Sequence, residues 1–257
     1  MKWTEPPEPI PAWLKQADEV TEANDAKPQG WSEMPTVRRT AVFIKTCFLA
    51  LRKIGLTHWE ALEVLSNSCL ETGWGEKFRA WNLGGWKTNE SDANFRRAQG
   101  KRALWYRAPG NKAPGATLQD YKGGDPPWCY YRGFSSVDEF FALWLVRFTP
   151  KPGTVNSKHR YFKTGNAFWA HKEEWFYELC VSGYKGENTQ KAPQGSVDNH
   201  KDISHRCLIF LVQDALGVTA DGAWGPRSSK ALKDKQRVLG LEPTGLCSLE
   251  LLEKLYA

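Results

Sequence analysis

Residues 70 to 87 read LETGWGEKFRAWNLGGWK, and no regular helix or strand can run through them. Glycine at Gly73, Gly75, Gly84 and Gly85 costs chain entropy and opens left-handed backbone conformations. Trp74, Trp81 and Trp86 are set among those glycines, with Glu71 at the head of the run. A chain that alternates bare backbone with indoles must turn sharply, meet something closely, or both. The run therefore divides the sequence: the stretch before it is patterned for helices, and the helical period is lost after it until about residue 134.

The N-terminal side is patterned for helices. In TVRRTAVFIKTCFLALRKIG the residues Val37, Ala41, Ile44, Phe48 and Leu51 recur at three- and four-residue steps, the stripe of an amphipathic helix that Gly55 closes. Thr57 and Glu60 form a capping box that opens a second helix through HWEALEVLSNSCLE, with Ala61, Leu62, Leu65 and Cys69 on its buried face. Glu71 falls on the last turn of that helix. From about residue 80 to 134 the helical period is lost. There ATLQDYKGGDPPWCYYRGF predicts two short strands around the KGGDPP turn. Ser136 caps a helix in SVDEFFALWLVRF, with Glu139 at its third position, and another helix is expected in GNAFWAHKEEWFYELCVSG. Residues 1–34, rich in proline and mixed charge, read as an extension with one short helical stretch around PAWLKQADEV. Residues 187–201 read as a polar linker. From 202 onward a compact helical unit carries a weak internal echo, LVQDALGV against KDKQRVLGL, each closed by glycine. Between the two, DGAWGPRS supplies a turn and places Pro226 in the first turn of the next helix.

Composition narrows the function. The chain has 257 residues, 13 Trp, 12 Phe and 8 Tyr, an aromatic excess suited to stacking on sugar faces as well as to core packing. A formal net charge of +6 favours an acidic partner. No long Lys/Arg run or nucleic-acid motif appears, so nucleic acid is not expected as a partner. No apolar run approaches a membrane span, and the first residues lack the apolar core of a secretory signal. The six cysteines (Cys47, Cys69, Cys129, Cys180, Cys207 and Cys247) show no metal spacing, and buried thiols are expected. A Cys207–Cys247 bridge stays open. The five histidines show no ligand spacing either, so neither metal nor cofactor is expected.

Glu71 carries the candidate chemistry. A carboxyl at a helix C-terminus faces the negative end of the macrodipole, and nearby indoles at Trp74, Trp81 and Trp86 would reduce its hydration. Both effects favour the protonated form, which is what the general acid of a glycosidase needs.

The motif LETGWGEKF…AWNLGGWK resembles the glucosaminidase family of peptidoglycan hydrolases, glycoside hydrolase family 73 of the flagellar and autolysin type. The likeness rests on Glu71, Gly73, Trp74 and Gly75, then on Asn82, Leu83, Gly85 and Lys87. Gly84 stands where that family usually has an aromatic, and Trp86 where it has an aliphatic. The resemblance implies a mainly α fold: a lysozyme-like catalytic domain with a small β-hairpin lobe, spanning 35–186. It makes Glu71 the catalytic acid. It places Asp120, with Asp125 as the other choice, at the second-carboxylate position in the hairpin. The family's late Gly-Tyr pair matches Gly183 and Tyr184, with Tyr184 lining the site. Trp74, Trp81, Asn82, Gly85, Trp86 and Lys87 would bind substrate.

Residues 202–257 resemble the three-helix peptidoglycan-binding domain attached to many wall hydrolases. Asp221, Gly222, Gly225 and Pro226 match its Asp-Gly-x-x-Gly-Pro core, and Trp224 and Gln236 complete the wall-binding set. Two resemblances thus name one polymer, bacterial peptidoglycan. They imply a monomeric, endolysin-like glycosidase that cleaves after N-acetylglucosamine. Such a protein would be held in the host cytoplasm until a holin releases it to the wall, or be virion-associated or secreted. A muramidase or lytic transglycosylase, and a wall-binding virion or effector protein without catalysis, are the alternatives.

Overall fold

The computed structural model describes residues 12, 17–20, 27–28, 30–100, 103–109, 128–148, 194–246 and 249–256. Among them are seven α-helices and a three-stranded sheet, so the fold is mainly α with a small β component. The chain divides into two compact units. One joins residues 30–77 to 141–257, and the other joins residues 1–29 to 78–140.

The first of these is helical. Helix α1 (Thr36–Lys53) buries Thr40, Phe43, Ile44, Cys47, Phe48, Ala50 and Leu51, while Val37 is exposed. The buried stripe starts one turn later than the sequence suggests. Ile54 caps the helix, and Gly55 comes next with φ +95°, the left-handed stop expected of it. Helix α2 (His58–Thr72) opens with the predicted capping box. Glu60 N–H donates to Thr57 Oγ1 at 3.3 Å, and Thr57 N–H donates to Glu60 Oε2 at 2.8 Å. Ala61, Leu62, Leu65 and Cys69 are all buried.

Among the described residues this unit also holds three C-terminal helices, α5 (Gln194–Ala215), α6 (Pro226–Val238) and α7 (Leu249–Leu255). Helix α5 packs on α2 and α1, and α7 packs on α5. Lys45 on α1 pairs with Asp214 on α5 at 2.8 Å. Tyr256 closes the end of the chain, its ring edge-on to Phe48 at 5.2 Å and its hydroxyl donating to Leu211 O at 2.7 Å. Helix α5 begins at Gln194, inside the stretch read as a linker, and runs on through residue 202 without a break.

The second unit is built on the sheet. Strand β1 (Asp18–Glu19) pairs in parallel with β2 (Leu104–Pro109), which pairs antiparallel with β3 (Trp128–Gly133). Tyr106 lies opposite Tyr131 and the two rings stack at 5.3 Å. With Val20, Ala80 and Leu104 they make a buried apolar cluster. Helix α3 (Glu90–Ala98), capped by the Asn89 side chain, delivers Arg96 into this interior. Its guanidinium is 2% exposed, pairs with Glu139 at 3.0 Å and lies over the Phe134 ring. Helix α4 (Val137–Phe148), of which residues up to Phe140 belong to this unit, starts as predicted, Glu139 N–H donating to Ser136 Oγ at 3.1 Å.

Two local expectations are corrected here. Residues 1–34 are more than an extension: Asp18–Glu19 form an edge strand, Ala17 O accepts from the Trp105 indole, and Val20 and Trp31 are buried. Around PAWLKQADEV the described residues hold that strand and a single 3-10 position at Ala12, and residues 11 and 13–16, where a short helix is expected, lie outside the described residues. Among the described residues β3 pairs with LWYRAP, while the strand expected upstream of the KGGDPP turn lies outside the described residues. The Trp and Tyr of LWYRAP have the β-propensity a strand wants, hidden by the irregular composition around it. Residues 90–98 are helical despite lying in the stretch without apparent period, because Asn89 and the acidic first turn start a helix that buries little besides Ala93 and Arg96.

Candidate functional site

In the helical unit, the run that starts at Glu71 is a helix terminus built for rigidity. Gly73 takes φ +57° and ψ +53°, and its N–H and that of Trp74 both donate to Cys69 O, the latter at 2.8 Å. Thr72 stitches the turn from both sides. Its hydroxyl donates to Ser68 O at 2.7 Å and accepts from Gly75 N–H at 2.9 Å. Gly75 has φ +84°, and a Cβ there would stand 2.5 Å from Phe43 Cγ on α1. The Thr-Gly-x-Gly spacing thus closes a helix and lays the next residues flat on its neighbour. Sequence reasoning missed Thr72; a hydroxyl residue three positions before a glycine at a helix end was the available signal.

Glu71 itself is exposed on the last turn of α2. Of the three indoles expected to shield it, Trp74, at φ +62°, meets Phe210 of α5 at 6.4 Å, and the Arg206 guanidinium lies 5.0 Å above its ring. Asp120, Asp125, Gly183 and Tyr184 lie outside the described residues.

In the sheet unit, the loop from Phe78 to Lys87 is strained and clipped. Ala80 and Trp81 have φ of +45° and +51°, a left-handed pair without glycine. The Trp81 indole is 6% exposed and packs on Phe78 at 5.1 Å. Asn82 is buried, and its amide serves the backbone. Nδ2 donates to Trp86 O at 2.8 Å and to Arg132 O at 2.9 Å, while Oδ1 accepts from Trp86 N–H at 2.8 Å. Asn82 therefore holds the 82–86 turn against β3 rather than facing outward. Lys87 continues the sheet as a one-residue bridge to Tyr131. Trp86 is half-buried against Phe134 and Phe140 at 5.9 and 5.4 Å. A Cβ on Gly84 would lie 2.8 Å from Trp86 Nε1, so the missing side chain at 84 is the space the indole occupies. Gly85, at φ +62°, and Lys87 are exposed. Of the residues in this loop expected from sequence to bind substrate, Gly85, Trp86 and Lys87 present surface, and Trp81 and Asn82 are buried.

The C-terminal residues of the helical unit form two copies of one device. Gln213 on α5 accepts at Oε1 from the N–H groups of Asp221 and Gly222, and donates from Nε2 to Asp221, Ala223 O and Ser228. Gln236 on α6 accepts from Gly245 N–H at 2.8 Å, and donates to Thr244 Oγ1 and Leu246 O. In both copies a glutamine grips the backbone nine residues downstream, across a left-handed glycine: Gly217 at φ +67° and Gly240 at φ +70°. One offset relates Gln213 to Gln236, Gly217 to Gly240 and Gly222 to Gly245. The repeat is therefore longer than the sequence echo suggests, and Gln213, which the echo aligns with Gln236, proves to share its clamping role.

Asp221 is exposed. Hydrogen bonds from Ala223 N–H and Gln213 hold its carboxyl below the usual carboxylate range. Gly222 presses on α5, where a Cβ would lie 2.4 Å from Phe210 Cε2. Gly225 is different: its backbone is extended and a Cβ would meet nothing within 4 Å, so its role as N-cap of α6 does not require glycine. A cleft of about 780 Å³ is lined by Gln213, Thr219, Asp221, Arg227 and Ser228. A smaller apolar one of about 190 Å³ lies between Leu208, Val212, Leu246 and the half-open indole of Trp224.

Among the described residues no group of His, Cys, Asp and Glu is placed to hold a metal ion, and no helix is long and apolar enough to cross a membrane. Comparison with protein-family models, with curated proteins and with solved structures finds no match.

Proposed function

We propose that this chain is a peptidoglycan hydrolase of endolysin type, cutting the glycan strand after N-acetylglucosamine with Glu71 as general acid. The observation that carries this reading is the helix terminus at Glu71–Gly75. Thr72, Gly73 and Gly75 each have a geometric duty there, and together they present one accessible carboxyl on a stiff turn. A proton donor needs that fixity, because catalysis falls steeply with misplacement of the reacting group. Glu71 would protonate the leaving oxygen as positive charge develops at the anomeric carbon. Asp120 would activate water or steady a substrate whose own N-acetyl group attacks. The exposed faces of Trp86, Gly85 and Lys87 suit a sugar and its anionic neighbours. The Gln213 and Gln236 turns, with Asp221 and Trp224, would hold the chain to the wall.

The decisive experiment is digestion of purified sacculi with identification of the new reducing ends. N-acetylglucosamine ends support the reading, and N-acetylmuramic or anhydro ends move it to a muramidase or lytic transglycosylase. Glu71→Gln should lower clearance about a hundredfold or more while leaving the circular dichroism spectrum unchanged. Wild-type clearance by that variant would remove Glu71 from the chemistry. Activity should persist in excess EDTA.

A second reading, a wall-binding protein without catalysis, draws on the exposure of Glu71 and on Trp74 and Trp81 being spent in packing. Sedimentation with sacculi without loss of turbidity would favour it.

A further inference from the structure

Cys69 on α2 and Cys207 on α5 face each other inside the helical unit, both with 0% exposure, their sulfurs 3.6 Å apart. All three described cysteines of this unit, Cys47 included, are free thiols. A disulfide needs sulfurs at about 2.05 Å and Cβ atoms about 3.8 Å apart. Thiols already touching across two packed helices can reach that geometry by side-chain rotation and a small helix shift. We propose that Cys69 and Cys207 are a disulfide-forming pair that closes when the chain is oxidised, tying α2 to α5.

The position gives the bond a consequence. Cys69 O accepts the cap bonds from Gly73 and Trp74, two residues ahead of Glu71. On the other side, Arg206 and Phe210 of α5 clasp the Trp74 ring. A covalent tie here fixes the foot of α2 to the helix that also carries the Gln213 turn. The two cysteines are 138 positions apart, so the bond closes a long loop and removes much of the unfolded chain's freedom.

The chemistry balances with a small-molecule disulfide as oxidant. One cysteine, deprotonated, attacks a sulfur of oxidised glutathione and expels one glutathione thiolate. The second cysteine loses its proton, attacks the mixed disulfide and expels the other. Two protein thiols and one oxidised glutathione become one protein disulfide and two reduced glutathiones. Burial pushes the Cys69 thiol well up, with Cys207 adding to the effect, so thiolate is scarce in the closed structure. Exchange on the folded chain is therefore slow, and the bond forms fastest during folding or transient opening. The proposal holds whether or not the chain cleaves glycan.

The test refolds the full chain from denaturant in two buffers, one of oxidised and reduced glutathione and one of reductant alone. Free thiols are then alkylated and the peptides mapped by mass. The expected result is a Cys69–Cys207 linked peptide in the oxidised sample and an unfolding temperature roughly 5–10 °C above the reduced sample. Cys47→Ser should keep both the link and the shift. Cys69→Ser and Cys207→Ser should each remove both. Pairing of Cys207 with Cys47 or Cys247, or alkylation of Cys69 in the oxidised wild type, would overturn the proposal.

Discussion

Gly75 and Gly85 both have positive φ and both belong to the same sequence run, yet the space around them differs. At Gly75 a methyl group would be driven into the Phe43 ring; at Gly85 it would meet nothing within 4 Å. Gly75→Ala adds overpacking to left-handed strain and should cost about 3 kcal/mol, while Gly85→Ala carries the strain alone at about 1 kcal/mol. Urea denaturation of the two variants checks the ordering, and equal losses would contradict it. That glycines crowd this run is plain in the sequence; which of them touches a neighbour depends on where α1 lies, and no local pattern encodes that. A second residue-scale consequence concerns His58, buried on the first turn of α2 against Phe48, its Nε2 meeting no hydrogen-bond partner among the described residues. Burial first, then the Arg52 charge, lower its pKa below the ordinary histidine value of 6.5, against a smaller opposing pull from Glu253. The unfolded chain then binds the proton more readily than the folded one. His58 thus contributes stability that is complete above pH 6.5 and is lost as pH falls through the folded value. The urea midpoint of the wild type should drop between about pH 7 and 5, and His58→Gln should flatten that slope; parallel profiles would exclude His58 as the cause.

Elements were legible where their signals are local. The capping box at Thr57, the stop at Gly55 and the cap at Ser136 are readable over three or four residues, and all three are present. Strand β1 and the pairing of LWYRAP with β3 were not, because a two-residue strand exists only through a partner far along the chain. The glutamine turns fall between these cases. Their glycines stand out in sequence, but a glutamine's role as a clamp shows only when its amide is seen closing on backbone. Because Gln213 and Gln236 perform the same task, their loss should cost alike. Each alanine variant strands turn N–H and C=O groups, for about 2–3 kcal/mol apiece. If the turns are parts of one unit, both variants should lower a single unfolding transition. Two separate transitions, or a neutral Gln213→Ala, would contradict the equivalence.

At the scale of the whole molecule, the outstanding question is whether the C-terminal helices stand alone. Sequence suggests a self-contained module from residue 202, yet α5 runs unbroken from Gln194 and packs on α1 and α2 within one compact unit. Phe210 shows what is at stake. Its ring meets Trp74 on one side and closely underlies Gly222 on another, so the turn proposed to hold the wall rests on a side chain that the foot of α2 also covers. Cutting the chain at residue 194 would strip Phe210 and Cys207 of their α2 contacts and Asp214 of Lys45. Re-exposing one large apolar side chain costs about 2–3 kcal/mol, and a domain of some sixty residues has little stability in hand. The fragment 194–257 should therefore unfold in urea with a broad transition at low denaturant and bind a hydrophobic dye, while the full chain does neither. A fragment that unfolds sharply at the parent midpoint would show that the covering by α1 and α2 is dispensable. In that case wall binding and the chemistry proposed at Glu71 could be separated by cutting; otherwise the helix that presents Glu71 also keeps the binding turns in shape, and damage to either should be felt by both.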